Sequence, residues 1–216
     1  MVIREYIENL RRDYLGEELE EATVNRDPIK QFEKWLEAAI KAELPDPHAM
    51  AVATAASSGR PSARVVLLRG FDHTGFSFYT NYQSRKGTDI FENPYAAAVF
   101  FWHELDRQVR IEGTIKKSSD TDSDKYFQSR PRENQIAAWA SNQSEVIANR
   151  AELEKRFSGF ERKFKNQTVP RPDNWGGFKI EPERFEFWQG RPGRLHDRIQ
   201  YTLNERGIWE ICRLAP

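Results

Sequence analysis

Apolar side chains recur along the chain with two different periods. Ile3, Ile7, Leu10 and Tyr14 fall at helical spacing, with Arg11, Arg12 and Asp13 beside the last of them, which predicts a short amphipathic helix over residues 2–15. A second helix opens in "NRDPIKQFEKWLEAAIKAEL", where Asp27 suits the N-cap and Pro28 the first helical position. Its apolar face is predicted from Ile29, Phe32, Trp35, Leu36 and Ile40, and "LPDP" ends it.

The period then shortens to two. "AMAVATAA", "SARVVLLRGF" and "FSFYTN" read as strands separated by the turns "SSGRP" and "DHTG". After a short helix in "RKGTDIFENP", two more strands follow in "YAAAVFFW" and "RQVRIEGTIKK". Helices are predicted in "SDTDSDKYFQSR", "RENQIAAWAS" and "EVIANRAELEKRFSGFERKF" before the chain returns to strands in "WGGFKI", "RFEFWQG", "DRIQYTL" and "GIWEICRLAP". Short turns between most strands favour antiparallel pairing. The expected class is α+β, a mainly antiparallel barrel of about seven or eight strands with peripheral helices, in one domain.

Composition narrows the function classes. The 216 residues carry 33 Lys plus Arg and 33 Asp plus Glu, so no global field points to nucleic acid or an anionic membrane, and any anion site must be local. The single cysteine, Cys212, makes no intrachain disulfide, and no Cys/His spacing suits zinc, so no metal is expected. Its place in an alternating terminal strand reads as core packing. The N-terminal stretch lacks the apolar run of a signal peptide and no segment is long enough to span a bilayer, so a soluble, unprocessed, cytoplasmic protein is expected.

The motifs GxGxxG, GxxxxGK[ST], GxSxG and HExxH are all missing, which removes the commonest nucleotide-binding, hydrolase and metalloprotease readings. What remains is a series of cation clusters: Arg64 and Arg69 around "VVLL", Arg85 and Lys86 opening a helix, Arg130 and Arg132 around a proline, and Arg194 with Arg198. Arginine grips phosphate through two N–H groups and a helix N-terminus offers further N–H donors, so "SRKG" after "FYTN" is a candidate phosphate cradle. Arg64 and Arg69 flank an apolar run that reads as buried, and their charges call for anionic partners from the protein or a ligand. Trp188 stands just before the "QGRPGRLHDR" turn, where an indole suits a planar ligand.

The ordered motifs "LRRDY", "RVVLLRGF", "FYTNYQSRKG", "DRQVRIEG", "YFQSRPRENQIAAWAS", "QSE", "WGGF", "FWQGRPGRLHDR" and the terminal "RLAP" resemble those of the pyridoxamine/pyridoxine 5′-phosphate oxidases over nearly the whole chain. The resemblance implies a split β-barrel homodimer with FMN at the interface, oxidising pyridoxamine 5′-phosphate and pyridoxine 5′-phosphate with dioxygen. It implies an FMN site from Arg64, Val65, Val66, Leu67, Leu68, Arg69, Tyr79, Thr80, Arg85, Lys86, Gln108, Gln143, Ser144, Trp188 and Arg198. Substrate would meet Arg69, Tyr126, Arg130 and Asn134 at its phosphate, and Arg194, Leu195 and His196 at its ring, with Arg194 and His196 catalytic.

Residues 1–20, containing Arg11, Arg12, Asp13 and Tyr14, are expected to cover the substrate, and residues 21–216 to form the oxidase domain. Arg69 stands where the family usually has lysine and Asn134 where it usually has serine, so phosphate binding with altered geometry is expected. Two alternatives stay open: a split-barrel flavin reductase, and a non-catalytic module that stores FMN or delivers pyridoxal phosphate.

Overall fold

A computed structural model of the chain describes residues 3–9, 12–14 and 16–216. Contacts divide it into two units. The central unit is His48–Ala98 with Glu112–Glu183, and the terminal unit is Met1–Pro47 with Val99–Ile111 and Arg184–Pro216.

In the central unit β1 (Ala49–Ala55) pairs antiparallel with β2 (Pro61–Leu67), placing Val52 opposite Arg64. The predicted single strand through "SARVVLLRGF" is broken. Leu68 N–H still donates to the His48 carbonyl at 2.9 Å, but Arg69 N–H turns to the Ser77 carbonyl at 2.8 Å, so the chain changes partner strand between them. It then forms β3 (Gly70–Asp72) on β4 (Gly75–Asn81). Arg64 and Arg69 therefore do not share a strand, and the run between them is only partly buried: Val65 is 69% exposed, Val66 and Leu67 are half-buried and Leu68 is buried.

Strands β5 (Tyr95–Trp102) and β6 (Arg107–Lys117) match their predicted spans. "WGGFKI" and "RFEFWQG" merge into one strand, β7 (Trp175–Gln189), whose first part pairs antiparallel with β4. Gly113 on β6 permits this continuity, because a Cβ there would lie 2.0 Å from the Glu181 carbonyl oxygen. With β8 (Asp197–Leu203) and β9 (Trp209–Arg213), nine strands are described, ordered β2-β1-β5-β6-β7-β4-β3, with β8 pairing β7 and β9.

The central core joins Met50, Val52, Phe76, Phe78, Phe178 and Ile180. A second cluster of Phe127, Ile136, Phe164, Val169 and Trp175 sits under α4 (Asp120–Ser129), α5 (Arg132–Ala140) and α6 (Arg150–Lys163). Helix α6 begins later than predicted because Asn149 caps it, accepting the Glu152 N–H at 3.1 Å.

In the terminal unit α1 spans Ile3–Asn9 only, with Ile3 and Ile7 exposed. Residues 12–14 are non-helical, and Leu10, Arg11 and Leu15 lie outside the described residues. Helix α2 (Pro28–Lys41) is capped as predicted, Asp27 accepting the Ile29 N–H at 2.8 Å. Its buried face uses Phe32, Trp35, Leu36 and Ala39, whereas Ile40 is 56% exposed, one residue past the stripe. Phe32 packs on Phe100 and Trp35 on Phe187, with ring centroids 4.9 and 5.2 Å apart. Cys212 is exposed, contrary to the core reading: on β9, Trp209 and Ile211 take the half-covered side and Cys212 the other with Glu210.

Candidate active site

The central unit carries an open cavity of about 900 Å³ whose lining, among the described residues, contains four cations, Arg64, Arg69, Lys86 and Arg130, and no carboxylate. Each cation arrives from a different element. Arg64 comes from β2, Arg69 from the link to β3, Lys86 from the first turn of α3 (Arg85–Glu92), and Arg130 from the end of α4. The α3 turn sits close because Gly87 has no side chain: a Cβ there would lie 2.0 Å from the Tyr82 carbonyl oxygen.

Lys86 is only 8% exposed, and among the described residues its Nζ meets neutral oxygens alone, Thr80 Oγ1 at 3.0 Å, Ser84 Oγ at 3.2 Å and Gln143 Oε1 at 2.5 Å. Burial, with the charge of Arg64 adding to it, pushes its amine down to about 8. The amides of this turn are less available than the sequence suggests, because Gly87 N–H is capped by Ser84 Oγ and Arg85 N–H donates to Ser144 Oγ at 3.2 Å. Attraction for an anion therefore rests mainly on side chains.

Arg64 is tied down by Val52 O at 3.1 Å and Thr54 Oγ1 at 2.8 Å through Nη1, and by Ser62 Oγ at 2.5 Å through Nη2. Arg130 lies 4.5 Å over the Trp175 ring, and its buried Nη1 has no hydrogen-bond partner among the described residues. Burial lowers the proton affinity of both guanidiniums, and the Arg69 charge adds to this at Arg130. Tyr79 stacks on Tyr126 at 3.8 Å and 15°, walling the same cavity, while Asn134, Gln143 and the exposed Val65, with Val66 and Leu67, complete it. Leu68 is buried and does not belong to this lining.

The remaining predicted residues belong to the terminal unit. Gly193 and Arg194 both take positive φ, 64° and 61°, in the turn before β8, which leaves Arg194 and Leu195 exposed. His196 Nδ1 accepts the Arg191 N–H at 3.1 Å, and burial plus Arg194 lower its proton affinity, so the neutral ring carries its hydrogen on Nε2. Trp188 and Tyr14 pack on that ring, with centroids 4.7 and 4.9 Å away.

Arg198 is already engaged. Its Nε and Nη2 hold the buried Glu186 at 2.9 and 3.0 Å, and its Nη1 donates to the Ala215 carbonyl. Asp197 accepts from Arg213 at 2.6 Å and lies 3.5 Å from Arg191. Arg12 is likewise turned to a protein carboxylate, pairing with Asp106, with Asp13 exposed beside it. Gln108 is half-buried on β6, and Arg11 lies outside the described residues.

Trp175, Ser129 and Glu186 were missed as site residues. Trp175 opens the quoted "WGGF" after a polar loop, and that placement alone was the available signal. The Glu186–Arg198 contact is diagonal across β7 and β8, where Trp188 is the residue opposite Arg198, so no local spacing announces it.

Residues 36–164 match the profile of the family described as pyridoxamine 5′-phosphate oxidase. The chain belongs to the pyridoxamine 5′-phosphate oxidase family. Residues 175–216 match a second profile of this family, the pyridoxine 5′-phosphate oxidase C-terminal dimerisation region. Two relatives named pyridoxine/pyridoxamine 5′-phosphate oxidase are similar throughout. One from Trichormus variabilis is 53% identical over 97% of this chain and 98% of its own. Another from Rubrobacter xylanophilus is 52% identical over 99% and 98%. The crystal structure of PhzG from Burkholderia lata, in complex with tetrahydrophenazine-1-carboxylic acid, superposes with a TM-score of 0.87 at 30% identity, covering 93% of this chain and 99% of that one. A pyridoxamine 5′-phosphate oxidase-related, FMN binding protein from Nostoc punctiforme, at 18% identity and a TM-score of 0.67 over 86% of this chain and 97% of its own, shares the fold. The split-barrel α+β class of this family thus holds for the chain. No described helix is long and apolar enough to cross a membrane.

Proposed function

We propose that this chain, as a homodimer in the cytoplasm, oxidises pyridoxamine 5′-phosphate and pyridoxine 5′-phosphate to pyridoxal 5′-phosphate. Its cofactor is FMN and its electron acceptor dioxygen, so that hydrogen peroxide is released, with ammonia from the amine. The observation that carries this reading is the carboxylate-free cavity with four cations, two of them half-buried or more and without a charged partner.

The cavity fits both phosphates. Lys86, Arg85, Thr80, Tyr79 and Ser144 would hold the FMN phosphate, with residues 64–69 and Gln143 along the rest of the cofactor. Arg130, Arg69, Tyr126 and Asn134 would take the substrate phosphate, for which the unsatisfied Nη1 of Arg130 is the fixed donor. Gln108, Trp188 and Arg198 complete the FMN set in this reading, Arg198 offering the faces that Glu186 leaves open. Bound FMN supplies the two-electron oxidation, and the protein supplies orientation and electrostatics.

At the substrate ring the roles divide by chemistry. Arg194 provides positive charge over the reacting side, held out by its left-handed backbone. His196, neutral with its hydrogen on Nε2, donates to the ring oxygen, with Leu195 beside it. Arg11, Arg12, Asp13 and Tyr14, within the segment 1–20, cover the bound substrate, and residues 21–216 form the oxidase domain. The packing of Tyr14 on His196 supports that arrangement.

The test is optical. Purified protein should be yellow, should bleach without oxygen when pyridoxamine 5′-phosphate is added, and should recover colour with peroxide release in air. A yellow protein that reduces readily with a nicotinamide donor but not with either B6 phosphate would be a flavin reductase, and one that neither substrate nor donor bleaches would be a binding module.

A further inference from the structure

Outside the residues assigned above, one buried polar cluster touches the cavity. Asp89, on α3, is 6% exposed, and a single carboxylate oxygen, Oδ2, accepts hydrogen bonds from Thr54 Oγ1 at 2.7 Å and Ser62 Oγ at 2.9 Å. Each hydroxyl has one hydrogen and spends it on Asp89, so each must present lone pairs in the other direction. Those lone pairs receive Arg64: Nη1 on Thr54 Oγ1 at 2.8 Å and Nη2 on Ser62 Oγ at 2.5 Å. The direct approach of Arg64 to Asp89 is 3.8 Å, longer than a hydrogen bond. The carboxylate therefore reaches the guanidinium directly by charge alone, and its hold on the orientation of Arg64 runs through the two hydroxyls.

We propose that Asp89 is a positioning residue for the cofactor site, orienting the Thr54 and Ser62 hydroxyls so that Arg64 is fixed in the wall of the cavity; this rests on the reading that the cavity holds FMN. Without an acceptor at position 89 the two hydroxyls are free to rotate toward each other, 3.4 Å apart, and to turn hydrogens on Arg64. Arg64 then loses its fixed geometry while keeping its charge, and the cost appears in cofactor binding.

The experiment is a titration of apoprotein with FMN, followed by quenching of flavin fluorescence, in a double-mutant cycle. Asp89→Ala should weaken binding roughly tenfold in the wild-type background and leave it unchanged in an Arg64→Ala background, because Asp89 has nothing left to position. Asp89→Asn, which keeps an acceptor oxygen, should restore affinity to within a few-fold of wild type. If Asp89→Ala does not yield folded protein, Ser62→Ala on its half-buried strand position gives the same cycle with a loss of a few-fold. An equal loss in both backgrounds, or none in either, overturns the proposal while leaving the cofactor reading intact. Wild-type apoprotein that does not bind FMN overturns both.

Discussion

Two cations of the central cavity, Lys86 and Arg130, and three arginines in and around the "GRLHDR" turn, Arg191, Arg198 and Arg213, are in opposite states. Around the turn, Arg198 holds Glu186, Arg213 holds Glu21 and Asp197, and Arg191 holds Glu18. In the cavity, among the described residues, Lys86 has only neutral oxygens and Arg130 keeps a buried N–H with no acceptor. A paired arginine is a structural clamp whose charge is already answered. An unpaired buried cation costs desolvation energy that the fold does not recover, so it marks where a ligand must supply the anion.

The sharpest way to break this comparison is at Lys86. Lys86→Met should weaken FMN binding on the order of 100-fold, since a hydrogen bond to a charged group is worth roughly 1.5–3 kcal/mol. The same change removes a buried charge, so the melting temperature of the apoprotein should hold or rise; a fall would mean that Lys86 is a structural residue. Next, Arg130→Ala should raise KM for pyridoxamine 5′-phosphate roughly tenfold or more, with FMN retention unchanged. Arg194→Ala should instead lower kcat while sparing FMN, and unchanged catalytic efficiency would remove its catalytic role.

Acidity separates the two states further. The Lys86 amine titrates at about 8 in the fold against 10.5 ordinarily. Because its folded value is depressed, the unfolded chain binds more protons at this group between those values, so the contribution of Lys86 to apoprotein stability is fully present above 10.5 and is lost as pH falls through 8. FMN affinity should run the other way, weakening a few-fold as pH rises through 8 and the amine loses its charge, which titrations from pH 7 to 9.5 would reveal. The smallest effect belongs to a clamp. Arg213→Ala, at a largely solvent-screened network, should cost about 1 kcal/mol and lower the melting temperature by roughly 2–4 °C, with FMN affinity within twofold of wild type.

How much of this was legible depended on whether the deciding contacts were local. The cap of α2, the strands Tyr95–Trp102 and Arg107–Lys117, and the α3 turn carrying Lys86 follow from neighbours in the chain, and each was readable. The break between Leu68 and Arg69 was not, because it arises from a change of partner strand from β1 to β4. Val65 and Cys212 failed for a related reason: periodicity records that a residue is apolar and not what covers it.

The candidate site divides along the same line. Its cation clusters stand out in the sequence, and the resemblance sorted them into ligand groups. Which ones lack a counter-charge is invisible there, because the partners are distant: Glu186 lies twelve residues from Arg198 and Glu21 is 192 residues from Arg213. Asp89 went unnoticed because a lone aspartate inside a short helix carries no signal until the hydroxyls of β1 and β2 converge on it.

The most direct test of the claim that the unpaired cavity cations receive phosphate is the rate of anaerobic flavin bleaching with pyridoxamine 5′-phosphate against unphosphorylated pyridoxamine at equal concentration. Rapid bleaching by the phosphate ester and at least a hundredfold slower bleaching by the free amine is the predicted result, given two or more charged hydrogen bonds at stake. Equal rates, or no bleaching with either, would contradict it.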